Sequence, residues 1–277
     1  MDPKSIIKTM CENMYLQMTY FDRNLIDHQV IEDPDLTIVS SPVASDSFNC
    51  VLRTHFDAPK NIKQRIYDVK EFFVARSVPF AWWVGPLDEP NNLGECLAEQ
   101  GLIFDEHLIG MFMPLSEYQS TLSSNLVVRR VLDDGDLRLF DRVHVLSGLF
   151  QDAYEKRFKN IPPKLYQEGS PFELYVGIVD GTVAATGMLA LQDGVAGIYY
   201  IATIPEQRRK GYATAMMNAL LSRAQDHGYK YALLQASEMG KNIYRKLGFK
   251  DVCTFNIYSL RGTTFQERDK KPKDFVL

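Results

Sequence analysis

The chain has 277 residues, a formal net charge of −4, 45% hydrophobic residues and 24% charged residues. These values are typical of a globular protein, and the negative net charge argues against general nucleic-acid binding, which favours basic domains. The four cysteines are far apart, without a CxxC pair, and the five histidines lack metal-ligand spacing. Neither a disulfide framework nor a metal site is therefore expected.

Neither a signal peptide nor a membrane span is predicted. The first residues, M-D-P-K-S-I-I-K, lack the apolar run of a signal peptide. No window contains the ~20 uninterrupted apolar residues that a spanning helix needs. We therefore expect a cytoplasmic protein that binds neither membrane nor nucleic acid.

The first half of the chain mixes helical and strand patterns. Apolar residues at helical spacing, among them Met10 and Met14, predict a helix over residues 4–21. A second amphipathic helix is predicted over residues 62–75, and the serine-rich segment 116–124 is interpreted as a linker. The other elements predicted here are strands 36–40, 47–54, 79–84 and 102–115 and a short helix over residues 93–100.

The second half contains two strong turn signals. The pairs Asp180-Gly181 and Asp193-Gly194 indicate tight hairpins that join three consecutive strands. Gly228 stands where a helix C-cap belongs. The predicted elements are strands 125–131, 172–179, 183–191, 196–203, 231–235 and 250–260, with helices over 133–149, after Gly211 and over 239–247.

A strand that leads into a basic glycine turn and then a helix begins at Tyr199, with the sequence Y-Y-I-A-T-I-P-E-Q-R-R-K-G-Y-A-T. The first N–H groups of such a helix are unpaired, and the helix dipole places partial positive charge beside them. Arg208, Arg209 and Lys210 add full charges at the same place. The stretch therefore predicts a site for a diphosphate-bearing cofactor.

The two halves also show a weak internal repeat. In each half a helix leads into a strand, a short helix and a long strand, which places Gly101 opposite Gly248 and Leu97 opposite Tyr244. The first half has F-D-A-P-K-N-I before its helix and lacks the basic glycine turn. We therefore predict two domains, 1–123 and 124–277, of which only the second keeps a phosphate-binding turn.

Two sequence blocks of the second half indicate a family. They are R-R-K-G-Y-A, from Arg208 to Ala213, and I-Y-R-K-L-G-F, from Ile243 to Phe249, with one helix and one strand between them. In this context the second half resembles the GNAT superfamily, the Gcn5-related N-acetyltransferases, whose blocks read R/Q-x-x-G-x-G/A and L-Y-x-K-L-G-F. The whole chain resembles tandem GNAT proteins with a degenerate N-terminal repeat. The resemblance implies an α/β (α+β) fold of two GNAT-like domains, each a mixed, mainly antiparallel sheet flanked by helices.

The resemblance implies acetyl-CoA as co-substrate and no metal. Its pyrophosphate would lie on the N–H groups of residues 209–214, with Gly211 allowing close approach and Arg208 pairing with phosphate oxygens. The strand before the turn would pair through its backbone with the pantetheine arm, and Ser237 stands where many relatives hold an asparagine. The expected cofactor-binding residues are Ile201, Ala202, Thr203, Arg208, Arg209, Lys210, Gly211, Tyr212, Ala213, Thr214 and Ser237.

The resemblance also assigns one catalytic residue. The tyrosine of the second block, Tyr244, would donate a proton or a hydrogen bond to the leaving sulfur, as a phenol of pKa ~10 can do at neutral pH. The strand position that often carries a glutamate base in the family is Tyr199 here. The base remains open between a water relay, Tyr199, Tyr200 and a distant carboxylate such as Glu173, or is absent because the amine binds neutral.

These observations predict an N-acetyltransferase that transfers the acetyl group of acetyl-CoA to a primary amine by direct attack. The acceptor would be a small-molecule or peptide amine, and the protein a monomer or homodimer. The alternative is a non-catalytic acyl-CoA-binding or regulatory protein.

Overall fold

The computed structural model describes residues 1–56, 61–120, 124–147 and 161–260. The α/β class with mainly antiparallel sheets is confirmed. The helices are α1 (Pro3–Thr19), α2 (Ile62–Val74), α3 (Leu93–Glu99), α4 (Asp134–Leu146), α5 (Tyr212–Asp226) and α6 (Lys241–Lys246). The strands are β1 (Gln29–Glu32), β2 (Thr37–Ser40), β3 (Cys50–Leu52), β4 (Ala81–Val84), β5 (Leu102–Pro114), β6 (Val127–Arg130), β7 (Phe172–Val179), β8 (Thr182–Gln192), β9 (Val195–Thr203), β10 (Tyr231–Ala236) and β11 (Lys250–Leu260).

The chain forms two compact units. The C-terminal unit consists of Met1–Gln17 and Ile109–Cys253, so it includes most of α1 from the start of the chain. The N-terminal unit consists of Met18–Leu108 and, among the described residues, those from Thr254 onward. The predicted boundary at residue 123 separates sequence repeats and is a different division of the chain from these units.

In the C-terminal unit the strand order is β5-β10-β9-β8-β7-β6. All neighbouring strands are antiparallel except β9 and β10, which run parallel. Helix α5 buries its apolar face against the sheet, with Met216 and Leu220 fully enclosed. This burial stabilises the unit because apolar side chains are removed from water. Helix α4 packs on β7, β8 and β9.

In the N-terminal unit the strand order is β1-β2-β3-β4-β11-β5. Strands β3 and β4 are the parallel pair here, joined through α2. The core lies under α2 and α3, where Ile66, Phe73, Trp82 and Leu97 are fully buried. The Phe73 and Phe80 rings stack at 4.4 Å between centroids.

Each unit takes one long strand from the other half of the sequence. Strand β10 pairs with β5, in a register that runs from Tyr231↔Pro114 to Ala236↔Ile109. Strand β4 pairs with β11, in a register that runs from Asn256↔Val84 to Ser259↔Ala81. In the sequence repeat β5 is the counterpart of β11, so the two halves exchange equivalent long strands. This exchange explains why the compact units do not coincide with the sequence repeats.

Local turn chemistry follows the sequence predictions closely. The residues of the β7–β8 turn, Asp180 and Gly181, have φ angles of 49° and 75°, as the tight hairpin requires. Gly101 and Gly248 both have positive φ, 83° and 103°, after their short helices, which agrees with their alignment in the repeat.

The segment predicted as a linker is partly packed. Tyr118 is 5% exposed, and its hydroxyl donates to the side-chain oxygen of Asn218 on α5 over 2.9 Å. The carbonyl of Leu115 accepts a hydrogen bond from Gln225 at 2.7 Å. The described part of this segment is therefore anchored to α5, because its aromatic and backbone groups find partners there. Residues 121–123 lie outside the described part.

None of the helices in the described ranges is both long enough and apolar enough to cross a bilayer.

Candidate active site

The parallel strands β9 and β10 separate after a short paired stretch. They pair only at Tyr231↔Val195, Ala232↔Ala196 and Leu233↔Gly197. Beyond this point β9 continues along β8, and β10 continues along β5. The edge of β9 from residue 198 to 203 that faces β10 therefore has no strand partner in the described structure. Its backbone N–H and C=O groups can pair with an extended ligand. We call the gap between the diverging ends of β9 and β10 the cleft.

A β-bulge shapes this edge of β9. The β8–β9 register changes between Thr186↔Ala202 and Met188↔Tyr199, so one residue of β8, Gly187, faces two residues of β9. At the bulge Tyr200 has a φ of 54°, and its carbonyl accepts a hydrogen bond from Thr186 at 3.0 Å. Such a bulge bends the strand and redirects its backbone groups. The bulge could not be predicted from the sequence because its left-handed residue is not a glycine.

The turn after β9 presents unpaired amides at the start of α5. Arg209 and Gly211 have left-handed φ angles of 61° and 83°. The N–H of Ala215 donates to the carbonyl of Gly211 at 2.9 Å, so the amides of the three preceding helical residues have no acceptor within the helix. No side chain in the described ranges caps this end. With the helix dipole, these amides form an anion site.

The backbone angle at position 211, and not a lack of space around it, explains why a glycine stands there. A Cβ at this position would have no atom within 4 Å, whereas a left-handed φ is strained for most side chains. The described protein atoms therefore do not crowd Gly211, and the close approach of a ligand at this position stays a prediction.

The basic residues of the turn have distinct roles. The Arg208 guanidinium donates to the carbonyl of Thr203 at 3.1 Å and to that of Ser147 at 2.9 Å. Arg208 therefore ties the turn to the end of β9 and to the end of α4, and in this structure its guanidinium is engaged by carbonyls. The Lys210 ammonium donates to the Gln207 side chain at 2.8 Å, and Arg209 is exposed.

The remaining predicted cofactor residues lie along the cleft and the turn. Ile201 packs its side chain against the α5 core, and Tyr212 is 7% exposed in the same core, so both offer only backbone groups. The Thr203 hydroxyl is buried without a hydrogen-bond partner among the described residues. Ala202 is buried beside it, Ala213 and Thr214 are partly exposed at the helix start, and the carbonyl of Ser237 accepts the N–H groups of Gly240 and Lys241 at 3.0 Å each.

Tyr244 lies on α6 with its ring against the core of the C-terminal unit. The ring meets Phe249 edge-on, with centroids 6.2 Å apart. Burial raises the pKa of Tyr244 to about 12, and its hydroxyl has no hydrogen-bond partner in the described part of the chain. The phenol is therefore protonated at neutral pH and free to donate. A Cβ on Gly240 would lie 2.9 Å from the Tyr244 ring, so a glycine there makes room for it.

Glu173, one of the base candidates, is held in a buried ion cluster. The carboxylate contacts Arg130 at 3.0 Å and Arg223 at 3.2 Å, and accepts the hydroxyl of Tyr175 at 2.5 Å. Burial alone would raise the pKa of Glu173, but the hydrogen bonds from Arg223 and Tyr175, together with the charge of Arg130, lower it. This carboxylate is ionised and fully engaged, which is typical of a structural group.

The two tyrosine candidates are also engaged. The Tyr199 hydroxyl donates to the side-chain oxygen of Asn13 at 2.8 Å, and burial raises its pKa well above the usual value. The Tyr200 hydroxyl accepts from Gln17 at 3.1 Å, and its ring meets the His144 ring edge-on at 5.6 Å. Tyr199 cannot readily form a phenolate at neutral pH, so it is a poor base.

Three residues near the cleft were not predicted from the sequence: Asn13, Gln17 and His144. Asn13 and Gln17 lie on α1, far from β9 in sequence. The one sequence signal for Asn13 was its position as a polar residue on a helix face that otherwise carries methionines. His144 is fully buried, and burial lowers its pKa to about 4, so the ring is neutral and its Nδ1 donates to the Phe140 carbonyl at 3.0 Å. Over the described ranges, no group of three or more His, Cys, Asp or Glu residues is arranged to hold a metal ion.

Comparisons with known proteins agree with this geometry. Residues 143–249 match the model of the acetyltransferase (GNAT) family, a range that contains the β9 edge, the glycine turn and Tyr244. The search of curated proteins returned no match.

Solved structures with similar folds extend over most of the chain. A GCN5-related N-acetyltransferase from Kribbella flavida superposes with a TM-score of 0.70 at 14% identity, covering 92% of this chain and 96% of the other. A GCN5-related N-acetyltransferase from Sphaerobacter thermophilus gives 0.58 at 13% identity, covering 81% and 80%. A tandem GNAT protein from the clavulanic acid biosynthesis pathway gives 0.55 at 12% identity, covering 81% and 77%. At these identities the similarity concerns the fold, and it includes the N-terminal half.

Proposed function

From the match of residues 143–249 to the GNAT family, we propose that this protein is an N-acetyltransferase that acetylates a primary amine with acetyl-CoA. One observation carries the proposal: beyond Gly197, β9 has a side that pairs with no described strand, and this side leads directly into the start of α5, which no described side chain caps. An extended arm that ends in a diphosphate fits this sequence of groups, because the edge offers strand-like hydrogen bonds and the helix start offers amides.

The residues present fit acetyl-CoA. The amides of Tyr212, Ala213 and Thr214 would hold the diphosphate, with Arg209 and Lys210 adding charge at the turn. The backbone of the β9 edge from residue 198 to 203 would hold the pantetheine arm. When bound, the thioester supplies an activated acetyl group.

The proposed chemistry is direct attack by the amine nitrogen on the acetyl carbonyl. The C–N bond forms, the C–S bond breaks, the nitrogen loses a proton and the sulfur gains one. Tyr244 donates its proton or a hydrogen bond to the leaving sulfur, since its hydroxyl is protonated and without a partner among the described residues. The amine proton leaves to water, because Glu173 and Tyr199 are engaged elsewhere. The acceptor is a small-molecule or peptide amine.

A thiol-release assay with a panel of primary amines tests this proposal. We expect at least one amine to release CoA from acetyl-CoA above the hydrolysis background, and mass spectrometry to detect a product that is heavier by one acetyl group. Acetyl-CoA that binds while no amine supports CoA release would refute the proposal and favour a non-catalytic acyl-CoA-binding protein.

A further inference from the structure

Asn13 is a buried polar residue on a helix that joins the C-terminal unit from the start of the chain. It is 1% exposed, between Met10 at 0% and Met14 at 7% on the inward face of α1. Burying an amide costs free energy unless its donors and acceptors are paired. The partners of Asn13 therefore explain why this residue is tolerated inside an apolar face.

The hydrogen bonds of Asn13 fix the direction of its amide. Its nitrogen Nδ2 donates to the backbone carbonyl of Ala190 at 3.1 Å. Because a carbonyl can only accept, the Asn13 oxygen must be the atom that faces Tyr199. The Tyr199 hydroxyl is therefore the donor in the 2.8 Å bond to Asn13.

The neighbouring residues make room for this arrangement. A Cβ on Gly197 would lie 1.8 Å from the Asn13 side-chain oxygen, so any larger residue there would displace the amide. Gly197 is also the last β9 residue that pairs with β10. Tyr199 comes two positions later, just beyond the last β9 residue that pairs with β10, and is partly exposed.

The oxygen of Tyr199 is left with acceptor capacity. A phenol has one donor and two acceptor positions, and Asn13 uses the donor. The Gln235 side chain on β10 approaches the same oxygen, and its Nε2 is buried without completing a hydrogen bond in the described structure. At least one acceptor position of Tyr199 thus has no completed hydrogen bond among the described residues.

We propose that Asn13 is a positioning residue for acetyl transfer: by accepting a hydrogen bond from the Tyr199 hydroxyl, it orients the phenolic oxygen as an acceptor for the N–H of the amine substrate. In this proposal Tyr199 contacts the amine directly, and helix α1 acts on the amine through Tyr199. This inference rests on the proposed N-acetyltransferase function. It assigns Asn13 no part in acetyl-CoA binding.

A double-mutant cycle in the full-length protein tests the proposal, with Asn13→Leu, Tyr199→Phe and the combined variant. We expect each single variant to lower kcat/KM for the amine by about tenfold, the effect of losing one oriented hydrogen bond. The kcat/KM of the combined variant should be no lower than that of the less active single variant, because Asn13 acts through Tyr199. The KM for the amine should rise while the Kd for acetyl-CoA stays unchanged.

Met14→Leu is the matched control, since it alters the same buried face of α1 without touching the network. It should leave the KM for the amine and the Kd for acetyl-CoA unchanged. If Asn13→Leu does not fold, Asn13→Ala takes its place in the cycle. Additive losses, or a loss in acetyl-CoA binding, would show that Asn13 is only structural. If the wild type releases no CoA with any amine, the proposed function fails and this inference fails with it; an active wild type with unaffected variants overturns the inference alone.

Discussion

The two units share a parallel strand pair but differ in the space beyond the paired residues. In the N-terminal unit the β3–β4 pair ends at Val51↔Trp82, and the Trp82 indole is fully buried and donates to the Thr54 hydroxyl at 2.9 Å. The backbone after β3 is paired as well, with the Glu89 N–H donating to the Thr54 carbonyl at 2.9 Å. In the C-terminal unit the β9–β10 pairing ends at Leu233↔Gly197, and the described structure contains no strand that pairs with this side of β9 beyond that point.

The short helices show the same contrast. Leu97 on α3 is fully buried in an apolar core, whereas its counterpart Tyr244 on α6 carries a hydroxyl without a partner in the described structure. In the N-terminal unit side chains fill the region after the parallel pair, and in the C-terminal unit the same region is the candidate site.

The largest expected effect belongs to the Tyr244 hydroxyl. Tyr244→Phe should lower kcat about 100-fold, the lower end for a lost general acid, while the acetyl-CoA Kd stays unchanged. Leu97→Met, at the counterpart position, should not alter kcat. Steady-state kinetics of both variants measure these effects, and a Tyr244→Phe enzyme with wild-type kcat would contradict the assignment of Tyr244 as the proton donor.

Glu173 should matter for stability and not for chemistry. Glu173→Gln leaves Arg130 and Arg223 without their carboxylate, so we expect a loss of about 2 kcal/mol in the free energy of unfolding, with kcat retained. The lowered pKa of Glu173 means that its contribution is present above its unfolded pKa of ~4.3 and is lost as the pH falls through its folded value. Denaturant unfolding at pH 7 and at pH 3 checks this, and a large fall in kcat at full stability would instead make Glu173 the base.

The two left-handed glycines provide a matched pair. Gly211→Ala and Gly101→Ala both force a side chain onto a φ of 83°, which costs about 1 kcal/mol of stability. Only Gly211→Ala should weaken acetyl-CoA binding, by about tenfold, because it distorts the amides at the start of α5. Calorimetric Kd values that change equally in both variants would contradict the assignment of the cofactor to the C-terminal unit.

The smallest effect is expected in the N-terminal unit. Trp82→Phe removes the bond to Thr54, so it should lower the free energy of unfolding by about 1 kcal/mol. The number of acetyl-CoA molecules bound should not change, because the cleft of the C-terminal unit is unaltered. A change in the number of acetyl-CoA molecules bound per chain would show that the region around Trp82 takes part in binding.

The sequence predicts features whose causes are local. The hairpin at Asp180-Gly181 and the glycine turn at Gly211 depend on residues that favour positive φ, and both can be recognised from the residue types alone. The GNAT resemblance, carried by two short blocks, agrees with the family match.

Long-range features could not be predicted in this way. Strands β5 and β11 are similar in sequence pattern, so local sequence does not predict that β5 pairs with β10 and β11 with β4. The engagement of Arg208 depends on the carbonyl of Ser147, and the network of Asn13 depends on a contact between α1 and β9 across more than half of the chain. These residues have ordinary sequence contexts, and only folding brings them to the cleft.

The most direct test of this account is the stoichiometry of acetyl-CoA binding. Isothermal titration calorimetry of the full-length protein should give one equivalent per chain, bound at the cleft of the C-terminal unit. Gly211→Ala should weaken that single event, while Gly101→Ala leaves it unchanged. Two equivalents, or one equivalent that is indifferent to Gly211, would contradict the claim that only the β9–β10 pair forms a site.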